Sequence, residues 1–235
     1  MFHGIPLKPP FFEIGPKNYL FGDQVLKLAQ AADAASQKYQ VPVIFTTPFT
    51  DIRRVAEETS HLLVFAPHMD LLPIGRGLAD ILPESVKAAG AVGVMLNHCE
   101  KPLAFSVLRQ SIRRADDLGL MTIVCADSID EARAIALLAP NIIVAEPAEL
   151  IGTGKTSSLD YVLASSAAVK SVNPDILVLS AAGISNGQDV FRVIRAGAEA
   201  TGSSSGIAKA ADSSAMVDEM IHAVREAWDE RTKKK

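Results

Sequence analysis

Cysteine is scarce in this sequence, and long apolar runs are absent. The two cysteines, Cys99 and Cys125, form neither a CxxC pair nor another ligand spacing, so we expect two free thiols in an intracellular protein. No apolar run approaches the roughly 18 residues that a membrane-spanning helix needs. The proline-rich first ten residues also lack the apolar centre of a signal peptide. These absences predict a soluble cytoplasmic protein with no membrane partner.

Positive charge is too sparse to indicate nucleic-acid binding. The formal net charge is −4, and the basic run at 233–235 is interpreted as a solvated chain end. No GxGxxG motif follows the first predicted strand, which counts against a dinucleotide-binding open sheet. Hydrophobic residues make up 49% of the chain, which supplies a large core and excludes a mostly disordered protein.

What the sequence does contain is a regular alternation of short apolar runs and longer helical patterns. Strands are predicted at 11–15, 41–46, 62–66, 92–96, 121–125, 141–145, 176–180 and 198–201. Helices are predicted at 23–39, 51–59, 78–89, 102–118, 128–138, 158–172, 187–195 and 212–228. The strand runs are continuously apolar, as is typical of a parallel sheet covered by helices. Eight such units predict one α/β domain over residues 1–235, a closed (β/α)8 barrel, with a doubly wound open sheet as the alternative.

Several helix ends carry local signals. Pro83 and Pro102 are expected in the first turns of their helices, and Gly119 at a helix end. Asp51 is a plausible N-terminal cap, and Ser128 with Glu131 has the spacing of a capping box.

In a barrel of this kind, chemistry lies on the loops after the strands. Glu146 ends the sixth strand run and is followed by Pro147 and a segment that closes on Gly152-Thr153-Gly154. A carboxylate on a stiff strand, beside a closing lid and a glycine-rich hook, suits proton transfer on a small anionic substrate. Glycine lets a backbone N–H approach a phosphate closely, so Gly152 is a candidate phosphate ligand.

Two further candidates follow the first and fourth strands. His98 precedes the helix predicted from 102, and a helix N-terminus disfavours the imidazolium, so we expect a neutral ring that polarises a carbonyl. Lys17 follows the first strand and offers a fixed cation to a phosphate or a developing enolate. Glu100 is expected to pair with Lys17, and Asn97, beside His98, to support the loop.

The loops after strands seven and eight complete the predicted phosphate site. Backbone amides of 183–185, including Ile184 and Ser185, and of Ser205 and Gly206 can point at one phosphate. The run 202–206 could instead be a flexible linker, but its place between a strand and a helix argues against that. His68 and Asp70 could suggest a metal site, yet no further ligands have a convincing spacing, so a structural or interface role is preferred.

Four segments resemble one family. Residues 146–155 look like the base-and-lid segment of triosephosphate isomerases, and the Pro-x-Glu-Leu form is similar to the compact archaeal branch. The Leu-Asn-His-Cys-Glu run at 96–100 resembles the histidine loop of that branch, and 182–190 and 205–206 resemble its phosphate loops. The segments occur in the family's order and span the predicted barrel.

The resemblance implies a TIM barrel that interconverts dihydroxyacetone phosphate and glyceraldehyde 3-phosphate, in glycolysis and gluconeogenesis, with no cofactor and no metal. It implies Glu146 as the base, His98 as the group that polarises the carbonyl, and Lys17 as the positive charge. The implied phosphate ligands are Gly152, Ile184, Ser185, Ser205 and Gly206. The family also implies a homodimer or homotetramer.

This sequence departs from the family pattern in places. Gly15 stands where the family usually has asparagine in Asn-x-Lys, and Cys99 replaces a hydroxyl residue. The loop at 71–77 also differs. These departures leave the reaction type intact but keep open a different substrate, such as a phosphorylated tetrulose. A non-catalytic phosphosugar-binding barrel and a metal-dependent epimerase are the further alternatives.

Overall fold

The strands of this chain close into a barrel in the order of the sequence. The computed structural model describes residues 4–150, 153, 157–181 and 183–233. Each of eight parallel strands pairs with the next, and the last pairs with the first. The strands are β1 (Phe11–Ile14), β2 (Val43–Thr46), β3 (Leu62–Ala66), β4 (Gly93–Leu96), β5 (Met121–Ala126), β6 (Ile142–Ala145), β7 (Leu177–Ser180) and β8 (Ala200–Ser203). The predicted barrel is confirmed.

Helices cover the outside of the barrel. They are α1 (Asp23–Tyr39), α2 (Ile52–Glu58), α3 (Pro83–Ala88), α4 (Phe105–Leu118), α5 (Ile129–Ala136), α6 (Leu159–Val172), α7 (Gly187–Ala196), α8 (Ser205–Ala208) and α9 (Ser213–Thr232). Helix α9 packs against both α1 and α7 and closes the helical ring. Over the described residues, every helix is too short or too polar to cross a bilayer.

The alternation of side chains along each strand divides the core into two layers. Phe12 and Ile14 of β1 belong to the layer between the sheet and the helices. Phe11 lies in the layer that fills the barrel, with Ile44, Phe65, Cys125, Val144 and other inward side chains. The same alternation turns Glu13 inward, toward the end of the barrel where the strands finish.

Several boundaries differ from the sequence prediction, and two of the differences lie next to the predicted site. Helix α4 begins at Phe105 and not at Pro102, because the Asn97 side chain accepts the Leu103 N–H and holds 97–103 as a loop. Strand β8 spans Ala200–Ser203, two residues later than predicted, because it pairs with β1 from Phe11↔Ala200 onward. Residues 202–206 therefore belong mostly to β8 and to the short helix α8, which was not predicted.

The predicted caps are confirmed in part. Gly119 ends α4 in the left-handed conformation, with φ of 68°, and Pro83 opens α3. One half of the capping box is present, because the Ser128 hydroxyl oxygen accepts the Glu131 N–H. In the other half, the Glu131 carboxylate accepts the Asp127 N–H instead of the Ser128 N–H. Asp51 precedes α2 without a side-chain cap bond, because a 3-10 turn at Phe49–Asp51 leads directly into the helix.

Candidate active site

Several predicted site residues meet at the end of the barrel where the strands finish. Lys17 Nζ lies 3.2 Å from Glu100 Oε2, which joins the loop after β1 to the loop after β4. Lys17 also acts electrostatically on His98, and Glu146 acts on Cys99 in the loop after β4. Side chains that are distant in the sequence therefore share one region, because the strands are parallel and finish at one rim.

His98 is held as a single tautomer by the backbone. The Glu100 N–H donates to His98 Nδ1 over 3.1 Å, so Nδ1 bears a lone pair and the ring proton of the neutral imidazole is on Nε2. The Glu100 carboxylate lies 3.6 Å from the same Nδ1. The ring can therefore donate from Nε2 while it remains uncharged.

The pKa of His98 is lowered from its ordinary value, as expected, but not for the expected reason. Burial of the ring is the main cause, the positive charge of Lys17 adds to it, and Glu100 opposes both. The helix expected to begin at 102 starts only at Phe105, seven residues after His98, so His98 does not directly precede its first turn. A desolvated ring beside a lysine stays neutral without a helix.

Asn97 organises the loop that carries His98. It has a left-handed backbone with φ of 57°, which asparagine tolerates better than most residues. Its side-chain amide donates to the Cys125 carbonyl over 3.0 Å and to the Glu131 carboxylate over 3.1 Å. Its side-chain oxygen accepts the Leu103 N–H over 3.0 Å. The loop after β4 is thus tied to β5, to α5 and to its own far end.

Lys17 lies in a turn with a strained backbone. Its φ is 48°, a left-handed value that is uncommon for a residue other than glycine. Its side chain is 27% exposed and its Glu100 partner 64%, so the ammonium group lies at the border between the barrel and solvent. The predicted pairing of Lys17 with Glu100 is present.

Glu146 directly follows β6. Its N–H donates to the Ala126 carbonyl over 3.0 Å, so the pairing of β5 with β6 continues to this residue. The side chain is partly exposed, Pro147 behind it is buried, and a 3-10 turn at Ala148–Leu150 follows. The Leu150 N–H closes this turn by donating to the Pro147 carbonyl over 2.9 Å, and the Thr153 N–H and hydroxyl both donate to the Leu150 carbonyl. The predicted phosphate ligand Gly152 lies outside the described residues.

The loops after β7 and β8 pack directly on each other. A Cβ on Gly206 would lie 2.5 Å from the Ile184 carbonyl and 3.0 Å from Ser185 Cα, so only glycine permits this contact. Ser203 Oγ donates to the same Ile184 carbonyl over 2.8 Å. The structure therefore places together Ile184, Ser185, Ser205 and Gly206, the four described residues of the predicted phosphate site.

One predicted phosphate donor is already engaged. The Ser185 N–H donates to Asp189 Oδ2 over 3.1 Å, and the Ser185 hydroxyl donates to the Gly183 carbonyl over 3.0 Å. Asp189, at the start of α7, is buried and also accepts from Arg192. An internal carboxylate thus occupies the Ser185 amide, which would have to be released to reach a phosphate.

His68 and Asp70 form a structural pair. His68 Nε2 lies 3.1 Å from Asp70 Oδ1, and Asp70 Oδ2 accepts the Ile81 N–H over 2.7 Å. The Asp70 N–H donates in turn to the Ile81 carbonyl, which closes the long loop between β3 and α3. In the part of the chain that the structure describes, no cluster of His, Cys, Asp or Glu could hold a metal ion.

Glu13 is a further carboxylate at this end of the barrel, and sequence reasoning missed it. Its Oε1 accepts from the Thr46 hydroxyl over 2.6 Å. The pKa of Glu13 is raised to about 7, and burial is the largest cause. In decreasing order of effect, the Thr46 hydrogen bond lowers this pKa, the charge of Glu146 raises it and the charge of Lys17 lowers it. The signal was present in the sequence: a carboxylate between apolar residues of a strand, in phase with the inward Phe11.

Known proteins resemble this chain along most of its length. A family model described as "Triosephosphate isomerase" matches residues 16–220. A triosephosphate isomerase of Sulfolobus acidocaldarius is 35% identical over 229 residues, which cover 96% of this chain and 99% of that protein. One from Sulfurisphaera tokodaii is 33% identical over 96% of this chain and 100% of its own length. One from Methanocaldococcus jannaschii is 34% identical over 87% of this chain and 94% of its own length.

Proposed function

Because this chain belongs to the triosephosphate isomerase family, we propose that it interconverts dihydroxyacetone phosphate and glyceraldehyde 3-phosphate. It is then an aldose–ketose isomerase, and its substrate is a small phosphorylated sugar. The match to the family along most of the barrel is the observation that carries this proposal. The names of the relatives favour a triose phosphate over a phosphorylated tetrulose and over a binding protein without activity.

Glu146 is the base in this proposal. Its carboxylate removes a proton from the substrate carbon next to the carbonyl, and the C–H electron pair forms the double bond of an enediolate. The same carboxyl group then returns the proton to the neighbouring carbon, so no atom is gained or lost. Its place directly after β6 supports this role, because the paired strand fixes the backbone of the base.

His98 stabilises the oxygen that becomes negative. Its Nδ1 is occupied by the Glu100 N–H, so the Nε2–H is the donor available to the substrate. A neutral imidazole is the better partner here, since it can donate this proton to one substrate oxygen and accept another from the adjacent oxygen. The lowered pKa of His98 keeps the ring in that form at neutral pH.

Lys17 supplies positive charge to the phosphate and to the enediolate, and Glu100 fixes the direction of its side chain. The phosphate group is bound by backbone amides of Gly152, Ile184, Ser185, Ser205 and Gly206. The close packing of the β7 and β8 loops around Gly206 supports a single binding region for the described members of this set. Asn97 supports the His98 loop, and no metal or cofactor takes part.

The organisation of the whole protein is part of the proposal. Residues 1–235 act as one barrel domain in the cytoplasm, and the chain forms a homodimer or a homotetramer. Apolar side chains exposed on the loop after β3 support self-association, because Leu71, Ile74 and Leu78 are 38%, 73% and 103% exposed. Light scattering behind a sizing column measures the subunit number.

The proposed activity is tested with the purified chain. Glyceraldehyde 3-phosphate formed from dihydroxyacetone phosphate is followed by a coupled assay, and kcat/KM is compared with that for tetrulose phosphates. Reaction in D2O should place deuterium on the product carbon, since Glu146 exchanges its proton with solvent. A preference for a tetrulose would point to the other isomerase, and saturable binding without exchange to a binding protein. Loss of activity with EDTA would point to an epimerase.

A further inference from the structure

The Glu13 side chain projects into the barrel where β1 ends. Its inward neighbour on the same strand, Phe11, is fully buried in the layer that fills the barrel. Glu13 itself is less buried than Phe11, so its side chain lies nearer to the open end of the barrel. The Thr46 hydroxyl, from the end of β2, donates to Oε1 over 2.6 Å and fixes that oxygen. A carboxyl group is thus held at the mouth of the barrel from β1.

Two glycines leave the space that this carboxyl group fills. Gly202 of β8 is in register with Glu13, and a Cβ there would lie 2.7 Å from the Glu13 carbonyl oxygen and 3.0 Å from Oε2. A Cβ on Gly15 would lie 3.2 Å from Oε1. Glycine at both positions therefore lets the Glu13 carboxyl group occupy the volume into which their side chains would project.

The charges around Glu13 come from several parts of the barrel. Glu146 after β6 and Lys17 after β1 act on it directly, and Glu13 in turn acts on the Cys125 thiol of β5. Together with burial, which is the largest cause, these surroundings raise the pKa of Glu13 to about 7. Glu146 adds to the rise, whereas the Thr46 hydrogen bond and Lys17 oppose it. Near neutral pH a large fraction of Glu13 therefore carries a proton. Thr46 occupies Oε1, so Oε2, beside Gly202, is the oxygen that bears it.

We propose that Glu13 is a further catalytic residue, whose protonated carboxyl group donates a hydrogen bond to a substrate oxygen beside Glu146. This rests on the proposed isomerase function. A neutral donor stabilises the developing enediolate without adding a negative charge near Glu146 and the substrate phosphate. The ionised form would repel both, so turnover should fall as Glu13 loses its proton.

The test is the pH dependence of kcat/KM for dihydroxyacetone phosphate. In the wild-type protein, kcat/KM should decline above about pH 7 as Glu13 ionises. Glu13→Gln keeps a neutral donor of the same shape, so it should retain activity within a few-fold and lose this alkaline decline. Glu13→Ala should lose about 100-fold, the order found when one donor to an oxyanion is removed. Ionisation of the substrate phosphate affects all variants equally, at lower pH.

Thr46→Val separates a catalytic role from a structural one. The Thr46 hydroxyl stabilises the ionised form of Glu13, so its removal should raise the pKa of Glu13 and move the alkaline decline to higher pH. A purely structural Glu13 would leave the position of the decline unchanged. Glu57→Gln, an exposed carboxylate on α2, is the matched control and should leave the whole profile unchanged.

Infrared spectra of the wild-type protein and Glu13→Gln supply a second measurement. A band of a protonated carboxyl group should be present in the wild type at pH 6 and absent from Glu13→Gln, whose fold is checked by circular dichroism. The inference is overturned if an active wild type shares its alkaline decline with Glu13→Gln, or if that band is absent. A wild type that does not convert dihydroxyacetone phosphate would instead overturn the proposed function, and the inference with it.

Discussion

The loop after β4 and the loop after β7 hold their key groups in opposite ways. In the first, Asn97 and the Glu100 N–H fix His98, and the hydrogen bonds are made without a substrate. In the second, the Ser185 N–H that would bind a phosphate is occupied by the Asp189 carboxylate. On our proposal, the side of the barrel that would carry the chemistry is preorganised, whereas the side that would bind the phosphate holds an internal anion that competes with the substrate.

Glu146 lies between these two regions, and its loss should have the largest effect. Glu146→Gln removes the base but keeps the shape of the side chain, so kcat should fall by about a thousandfold or more with the fold intact. Steady-state kinetics and circular dichroism measure the two quantities. Glu58→Gln, at an exposed position of α2, should retain full turnover. Unchanged turnover in Glu146→Gln would eliminate this residue as the base.

Asn97→Ala tests the preorganised loop. The change leaves the Cys125 carbonyl and the Leu103 N–H without their partner, which should cost about 1–3 kcal/mol of unfolding free energy. Displacement of His98 should also lower kcat by about 10- to 100-fold. Chemical denaturation and kinetics measure both effects. Asn173→Ala, in the turn before β7, removes a similar bond at the other end of the barrel and should leave kcat unchanged.

Asp189→Asn tests the internal anion of the phosphate side. Removal of its charge should weaken the hydrogen bond that holds the Ser185 amide and reduce repulsion of the phosphate, so KM should fall by roughly two- to fivefold with kcat nearly unchanged. Stability should drop by about 0.3–1 kcal/mol, since a carboxylate in the first turn of α7 is lost. Asp175→Asn, exposed before β7, should not change KM. A higher KM would show that Asp189 supports the site and does not compete with the substrate.

The ionisation of His98 gives the smallest expected change. NMR titration of its ring should show a pKa below the ordinary histidine value, and Lys17→Met should raise it, because the lysine charge opposes protonation. The folded state thus binds the proton less readily than the unfolded state. The contribution of this pKa difference to the free energy of unfolding is therefore fully present above the pKa that His98 has in the unfolded chain. It is lost as the pH falls from that value through the pKa of the folded state. A lower pKa in Lys17→Met would contradict the proposed electrostatic contact.

Local sequence signals predicted most of the barrel and failed where distant residues set the boundary. Helix α1 was predicted from its first to its last residue, because its pattern and ends lie within one segment. The predicted start of α4 was wrong, because the side chain of Asn97, eight residues before the observed start, holds the preceding segment as a loop. The position of β8 was wrong because β1, at the far end of the chain, sets its register.

The location of the predicted site followed from topology, and the choice of its residues from motifs. In a parallel barrel all strands finish at one rim, so residues placed after strands one, four and six had to approach one another. The pairing of Lys17 with Glu100 could be expected on this ground, and the structure contains it. The hydrogen bond from the Ser185 amide to Asp189 could not be expected from the sequence, because several nearby acceptors fit the sequence equally well.

The sequence by itself determined the order of strands and helices and the rim at which polar residues gather, since both depend on local patterns and on parallel topology. Only the tertiary structure decided the chemical state of the site. The neutral tautomer of His98 depends on a backbone amide and on burial. The raised pKa of Glu13 depends on burial among strands, on Thr46 of β2 and on Glu146 after β6. Ionisation follows from distances and solvent exclusion, which exist only once the barrel has closed.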